Sequence, residues 1–299
     1  MLFPTSGVEV NPLFPFLVAF CVSFFTSMGG VSGAFLLLPF QVSVLGYTAP
    51  SVSATNQVFN IVAIPSGVYR YIREGRMLWP LTSAVIVGTL PGVFIGAWIR
   101  IEYLPDPKDF KFFAGLVLLY IGWRLFIDVF KGKSKEKEKI PLTRSHSTQT
   151  VRVTMSTLHK VAFEFNSENF QFSPPMVYGL CFLVGIAGGI YGIGGGSIVA
   201  PFFVAIIGLP VYVVAGAALM GTFITSIAGV IFYHILAGFY PNVSVAPDWR
   251  LGVLFGVGGF LGMYFGARTQ KYVPSRYIKS ILCACVLFVA GKYTLGFFF

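Results

Sequence analysis

The stretch GIYGIGGGSIVAPFF, residues 189–203, sets a cluster of glycines inside apolar sequence and follows it with a proline. A weaker version, SMGGVSGAFLLLPF, occupies residues 27–40. Both lie in charge-free intervals, Glu9 to Arg70 and Glu168 to Asp248, each long enough for more than one membrane element. A full crossing needs roughly 20 helical residues at 1.5 Å rise through a hydrocarbon core of about 30 Å. Broken at residues 29–33 and 192–196, the pieces are shorter: about 24 Å for residues 13–28, and about 20 Å each for 34–46 and 197–209. Such pieces predict helical hairpins that enter, turn near the midplane and leave by the same face, with a single kinked span as the alternative.

Composition places the chain in a bilayer. Of 299 residues, 56% are apolar and 11% charged, and the mean hydropathy is +0.78, too little polar surface to cover a soluble globule. The 4 Cys, 18 Pro and 34 Gly are dispersed, which excludes a disulfide scaffold and a collagen-like rod. The formal charge of +10 does not indicate nucleic acid, because 8 of the 21 Lys and Arg fall within residues 131–160, as in a basic cytoplasmic loop. Cys21, Cys181, Cys283 and Cys285 sit in apolar runs and read as small buried hydrophobes, so neither metal, disulfide nor cofactor is expected. The first apolar run follows a leader with Glu9 and no Lys or Arg, unlike a signal peptide, so the amino terminus is expected to stay. Further spans are expected at residues 56–71, 77–99, 212–238 and 248–268, with two more in the apolar runs 110–123 and 281–299.

The sequence repeats itself. Pro39 and Gly46 correspond to Pro201 and Gly208, Trp79 to Trp249, and Pro105 and Gly122 to Pro274 and Gly291. GTLPGVFIGAW aligns with GGFLGMYFGAR, keeping Gly88, Gly92 and Gly96 as Gly258, Gly262 and Gly266, a four-residue spacing that predicts close helix packing. With hairpins, each half crosses three times and 16 of the 21 cations fall inside; with kinked spans the count is 14. The expected fold is therefore an all-α membrane protein of two inverted repeats. Each has a re-entrant hairpin plus three transmembrane helices, and both termini lie outside. Residues 1–130 form the first repeat, 131–175 a cytosolic loop and 176–299 the second repeat. In the loop a charge run, KGKSKEKEK, is followed by alternation at Val151, Val153, Phe163, Phe165, Phe170 and Phe172, which predicts short strands with a turn at residues 166–169. His146 and His159 there read as solvent-exposed.

Inverted repeats with broken helices are the plan of many secondary transporters, whose sites form at the repeat interface. The second copy, with AGAALMGTFITSIAGV after it, and the first, with SATNQVFNIVAIPSG after it, together resemble the sulfite exporter family labelled TauE/SafE over nearly all of the chain outside the central loop. The resemblance implies movement of sulfite, other sulfur oxyanions or organosulfonates across a bacterial inner membrane. Small carboxylates, or a selective anion channel, are the alternatives. The first copy departs from the pattern, with Ser32 and Ala34 where the second has Gly194 and Gly196.

A small anion is expected at the amino-terminal ends of the second limbs, where amide dipoles attract negative charge without Lys or Arg. Those ends are Gly30, Ser32 and Gly33 in one half and Gly194, Gly195, Gly196 and Ser197 in the other. Asn56, Gln57 and Asn60, and Thr222, Thr225 and Ser226, supply polar atoms on the next helices, with Tyr191 beside them. The competing reading of each Ser or Thr is a hydrogen bond back to a helical carbonyl. All 11 acidic residues lie in the leader, loops or helix ends, so no carboxylate relay is expected at the midplane. His234 remains the candidate proton carrier. The glycine string lacks the strand, acidic partner or Gly-Lys-Ser/Thr of a nucleotide site, and no nucleophile with a base marks an enzyme.

Overall fold

The computed structural model describes residues 1–29, 32–73, 75, 77–131, 151–157, 159–165, 168–269 and 275–298. It is mostly helical, and five of its helices are long and apolar enough to cross a membrane: Trp79–Glu102, Pro107–Ile127, Pro174–Tyr191, Val213–Ala237 and Tyr277–Phe298.

Both chain interruptions are present. Helices α1 (Leu13–Gly29) and α2 (Ala34–Ser43) flank the first. Helices α7 (Pro174–Tyr191) and α8 (Gly195–Phe202) flank the second, and α8 runs on into a π-helical turn, Phe203–Ile207. Gly192 (φ 79°) and Gly194 (φ 77°) make the second break, in the left-handed region that side-chain-bearing residues avoid. The limbs differ in extent from expectation: α2 stops at Ser43, and α8 starts two residues early at Gly195.

Each pair of limbs folds back. The Phe14 ring at the start of α1 lies 5.6 Å from the Phe40 ring near the end of α2. In the second half, α7 follows the β insertion, whose leading residue Val151 donates its N–H to Gly75 O (3.3 Å) just beyond α4 (Pro65–Arg73). Helix α9 (Val211–Ala237), which follows α8, starts near α4 as well, with Gly216 against Tyr71. The segments that precede and follow that hairpin thus both approach the end of α4.

The remaining helices are α3 (Ser51–Ala63), α5 (Trp79–Glu102), α6 (Pro107–Lys131), α10 (Trp249–Thr269) and α11 (Ser275–Phe298). The span expected at residues 56–71 begins earlier, at Ser51, and is divided between α3 and α4 at Pro65, which cannot donate to the preceding turn. Helix α1 packs on α10 and α7 on α5; α3 packs on α10 and α9 on α5; α6 pairs with α11 and α3 with α9. The glycine rows make the closest of these contacts. A methyl on Gly92 or Gly96 would collide with Phe182 O or Ile186 O of α7, and one on Gly262 or Gly266 with Phe20 O or Phe24 O of α1.

The insertion is a three-stranded antiparallel sheet of β3 (Arg152–Ser156), β4 (Val161–Phe165) and β5 (Glu168–Phe172), with Phe163, Phe165 and Phe172 buried. The turn is tighter than residues 166–169, since Glu168 and Asn169 already pair with Phe165 and Glu164. His146 and the charge run at residues 132–139 lie outside the described residues. An unexpected hairpin, β1 (Leu2–Phe3) with β2 (Val8–Glu9), caps the opposite face: Ser6 donates from N and Oγ to Asp248 Oδ2 at 3.1 and 2.8 Å. Two of the cysteines also differ from expectation. Cys181 and Cys283 are buried, but Cys21 and Cys285 are exposed, because α1 and α11 turn apolar faces outward as well as inward.

Candidate functional site

Helix α3 joins the two interruptions. Asn56, fully buried, donates from Nδ2 to Ala34 O (3.0 Å) at the first and to Gly192 O (3.2 Å) at the second. Its Oδ1 accepts from Gln41 Nε2 at 3.3 Å. One turn on, Asn60 Nδ2 donates to Ile193 O (2.9 Å) and to Ser226 Oγ (3.3 Å), and Ser53 Oγ donates to Ile190 O (2.8 Å). Breaking a helix frees carbonyls, and these side chains take up the ones around the second break.

The expected residues divide by what their polar atoms already do. Thr222 and Thr225 donate back to Ala218 O (2.8 Å) and Gly221 O (2.7 Å), which is the helical back-bonding alternative. With the Thr222 proton so placed, Ser197 is the donor in its 3.0 Å contact with Thr222 Oγ1. Tyr191, buried, donates to Phe35 O at 2.7 Å. That carbonyl is the one the N–H of residue 39 would have reached, and residue 39 is proline. Ser32 Oγ accepts the Ala34 N–H at 3.3 Å, and Gly33 lies close to Ser23 and Thr26. Gly196 and Gly194 press against α9, where a side chain on Gly196 would collide with Ala218 O, while one on Gly195 would meet Thr89. Gly30 lies outside the described residues.

Unused polar valence remains at the α3–α9 interface. Both amide atoms of Gln57 and the Oδ1 of Asn60 are buried without a hydrogen-bond partner, as are Gln41 Oε1 and Ser23 Oγ. The orientation of Asn60 is fixed, because Ile193 O requires a donor. Gln57 lies against Gly229 and Asn60 against Ser226, three residues apart on each helix and so on one seam. The two interruptions also differ in capping. The first has Ser32 on its leading amide, whereas Gly194 leaves the first N–H groups of α8 without a side-chain acceptor.

Several residues escaped the sequence reading. Arg100, which the sequence reading did not single out, is fully buried. Its guanidinium donates to Leu104 O and to Thr48 O (2.8 Å), stacks 3.8 Å from the centroid of Phe110, and leaves its Nε unpaired. Its spacing was a signal: it follows Gly88, Gly92 and Gly96 by another four residues and so belongs to their buried face. Asp248 is also buried, and its Oδ1 caps α10 by accepting the Leu251 N–H at 3.0 Å. In the loop beside it, burial pushes the Tyr47 phenol up, so it stays protonated and contacts Thr55 Oγ1 at 3.1 Å. His234 is exposed on the surface of α9.

The sequence model of the family described as sulfite exporter TauE/SafE matches residues 15–293. The chain is also similar to a probable membrane transporter protein, YunE, of Bacillus subtilis (strain 168), with 22% identity over 282 residues that cover 90% of this chain and 94% of the relative. No solved structure matches it.

Proposed function

The chain belongs to the sulfite exporter TauE/SafE family, and from that footing we propose that it carries a small sulfur-containing anion, sulfite or an organosulfonate, held where its two interruptions meet. It is a multi-pass membrane protein of a transporter family. The observation that carries the reading is the amide of Asn56, which holds carbonyls of both breaks at once, beside a buried seam of unused polar atoms. Buried amides without partners are costly, at about 1–3 kcal/mol each, and a guest that completes them accounts for their presence.

The second break is the anion end of this site. Its leading N–H groups lack a cap, and a helix start carries roughly half a positive charge. Gln57 Nε2 adds a donor, while Gln57 Oε1 and Asn60 Oδ1 accept a proton-bearing group of the guest, such as the hydroxyl of hydrogensulfite. Neither Lys nor Arg is required.

The two halves act as inverted repeats, residues 1–130 and 176–299, with the segment 131–175 between them. The pairing supports this: exchanging the halves turns α1 on α10 into α7 on α5, turns α3 on α10 into α9 on α5, and leaves α6 with α11 and α3 with α9 unchanged. Gly46 and Gly208, equivalent in the two copies, both take left-handed backbone. The insertion face, richer in Lys and Arg, is cytoplasmic in a bacterial inner membrane, and both ends of the sequence lie outside. The partners are then the anion and the lipid, with no nucleic acid.

Proteoliposomes loaded in turn with sulfite, thiosulfate, sulfate, taurine, sulfoacetate and small carboxylates test the reading by tracer flux and electrical recording. Saturable flux of the sulfur anions is expected. Flux of carboxylates alone overturns the substrate class, and single-channel currents far above carrier rates overturn the carrier mechanism.

A further inference from the structure

Away from the midplane, the structure holds a basic feature. A cavity of about 260 Å³ opens between the end of α2 and the pair α6 and α11. Lys108, Lys111 and Lys292 line it together with Ser43 and Tyr293, and no lining residue carries a carboxylate. Lys108 and Lys111 are three residues apart on α6 and so share a helical face, whereas Asp109 in the same first turn points along another. Ser43 Oγ lies 2.6 Å from Tyr293 OH, which in turn reaches Pro39 O at 3.2 Å, giving the cavity a fixed polar floor. Lys108 Nζ stands 5.4 Å from the Phe297 ring centroid, which orients one cation.

Three ammonium groups around one concavity repel each other, and a multiply oxygenated anion relieves that repulsion by accepting from all three. We infer that this cavity is a binding site for a tetrahedral oxyanion of phosphate or sulfonate type. It is distinct from the midplane seam, since α2 separates the first break from Ser43 by about 14 Å at 1.5 Å per residue. The inference stands on the cavity alone and does not depend on which solute the midplane carries. The oxyanion is supplied either by solution or by the headgroup of an anionic lipid lying against α6 and α11.

The test uses the intact protein in nanodiscs of phosphatidylcholine, titrated calorimetrically with inorganic phosphate. A parallel preparation contains phosphatidylglycerol and is read for retained lipid by native mass spectrometry. The site predicts saturable, salt-sensitive occupancy in at least one arm, weakened about fivefold for each lysine neutralised in K108Q, K111Q and K292Q. K108R with K111R is expected to retain it. Phosphate binding alone assigns a soluble anion, and retention of phosphatidylglycerol that blocks phosphate assigns the headgroup. Wild-type occupancy in the triple glutamine variant, with thermal midpoint and elution unchanged, overturns the site, as does no occupancy of the wild type in either arm. Because flux through the midplane is read separately, loss of one reading leaves the other standing.

Discussion

Asn56 donates to Gly192 O at 3.2 Å, which fixes α3 to the turn that interrupts the second helical hairpin. The same nitrogen holds Ala34 O, so one side chain spans the two halves of the chain. Asn56→Leu keeps the volume and removes the donor, stranding the buried Gly192 O and Gln41 Nε2, while Ala34 O at the start of α2 keeps the N–H of residue 38. A loss of about 1–3 kcal/mol is expected for such stranded groups, seen as a lower thermal midpoint of the purified protein. An unchanged midpoint would mean that the two breaks are held together by packing alone.

Gln57 is expected to behave in the opposite way. Its amide makes no hydrogen bond in the buried seam, so Gln57→Leu removes an unsatisfied polar group and leaves stability equal or higher. Flux in proteoliposomes should nonetheless fall by tenfold or more, since about 1.4 kcal/mol of lost guest contact suffices for that factor. A stable Gln57→Leu protein with full flux removes this amide from the site.

The positive-φ glycines separate by what surrounds them. At Gly208 a methyl meets nothing within 4 Å, so Gly208→Ala is expected to cost only the backbone term, roughly 1–2 kcal/mol, and to keep transport. At Gly192 a methyl would strike the backbone of Ser53, so Gly192→Ala is expected to abolish folded expression. Fluorescence-detected size-exclusion chromatography of the two variants reads the difference.

Arg100 and Phe110 form a measurable pair, with the guanidinium 3.8 Å from the ring centroid. Arg100→Lys keeps the charge but cannot reproduce the fork to Leu104 O and Thr48 O or the stacked plane. In a double-mutant cycle of Arg100→Lys with Phe110→Leu, a coupling of about 0.5–2 kcal/mol is expected in thermal stability. Additive losses would assign the whole effect to the two carbonyls.

Much of this architecture was legible because membrane physics leaves few choices. A dense glycine cluster followed by proline in a charge-free run marks a place where a helix can break, and Gly88, Gly92 and Gly96 at four-residue spacing mark a contact face. What escaped was the use of each polar atom. Thr222 and Thr225 satisfy helical carbonyls locally, a property of rotamers and not of spacing, while Asn56 reaches partners 22 and 136 residues away. Arg100 was not singled out because a cation near a helix end ordinarily snorkels to the surface; here the loop carbonyl of Leu104 and the ring of Phe110 close over it. The N-terminal hairpin was missed because its two-residue strands carry no period.

Tyr191 and Pro39 give the sharpest test of how the halves are joined. Proline at position 39 supplies no N–H, so Phe35 O has no partner in α2 and takes the Tyr191 hydroxyl at 2.7 Å. Tyr191→Phe should therefore cost about 1–3 kcal/mol, the cost of a buried carbonyl left alone. In a Pro39→Ala background the residue 39 N–H reaches Phe35 O within the helix, and the same Tyr191→Phe change should cost well under half as much. Thermal midpoints of the four proteins in one detergent give the cycle. An equal cost in both backgrounds would show that Tyr191 acts through its ring, and that the carbonyl freed by Pro39 is not what binds the second hairpin to the first.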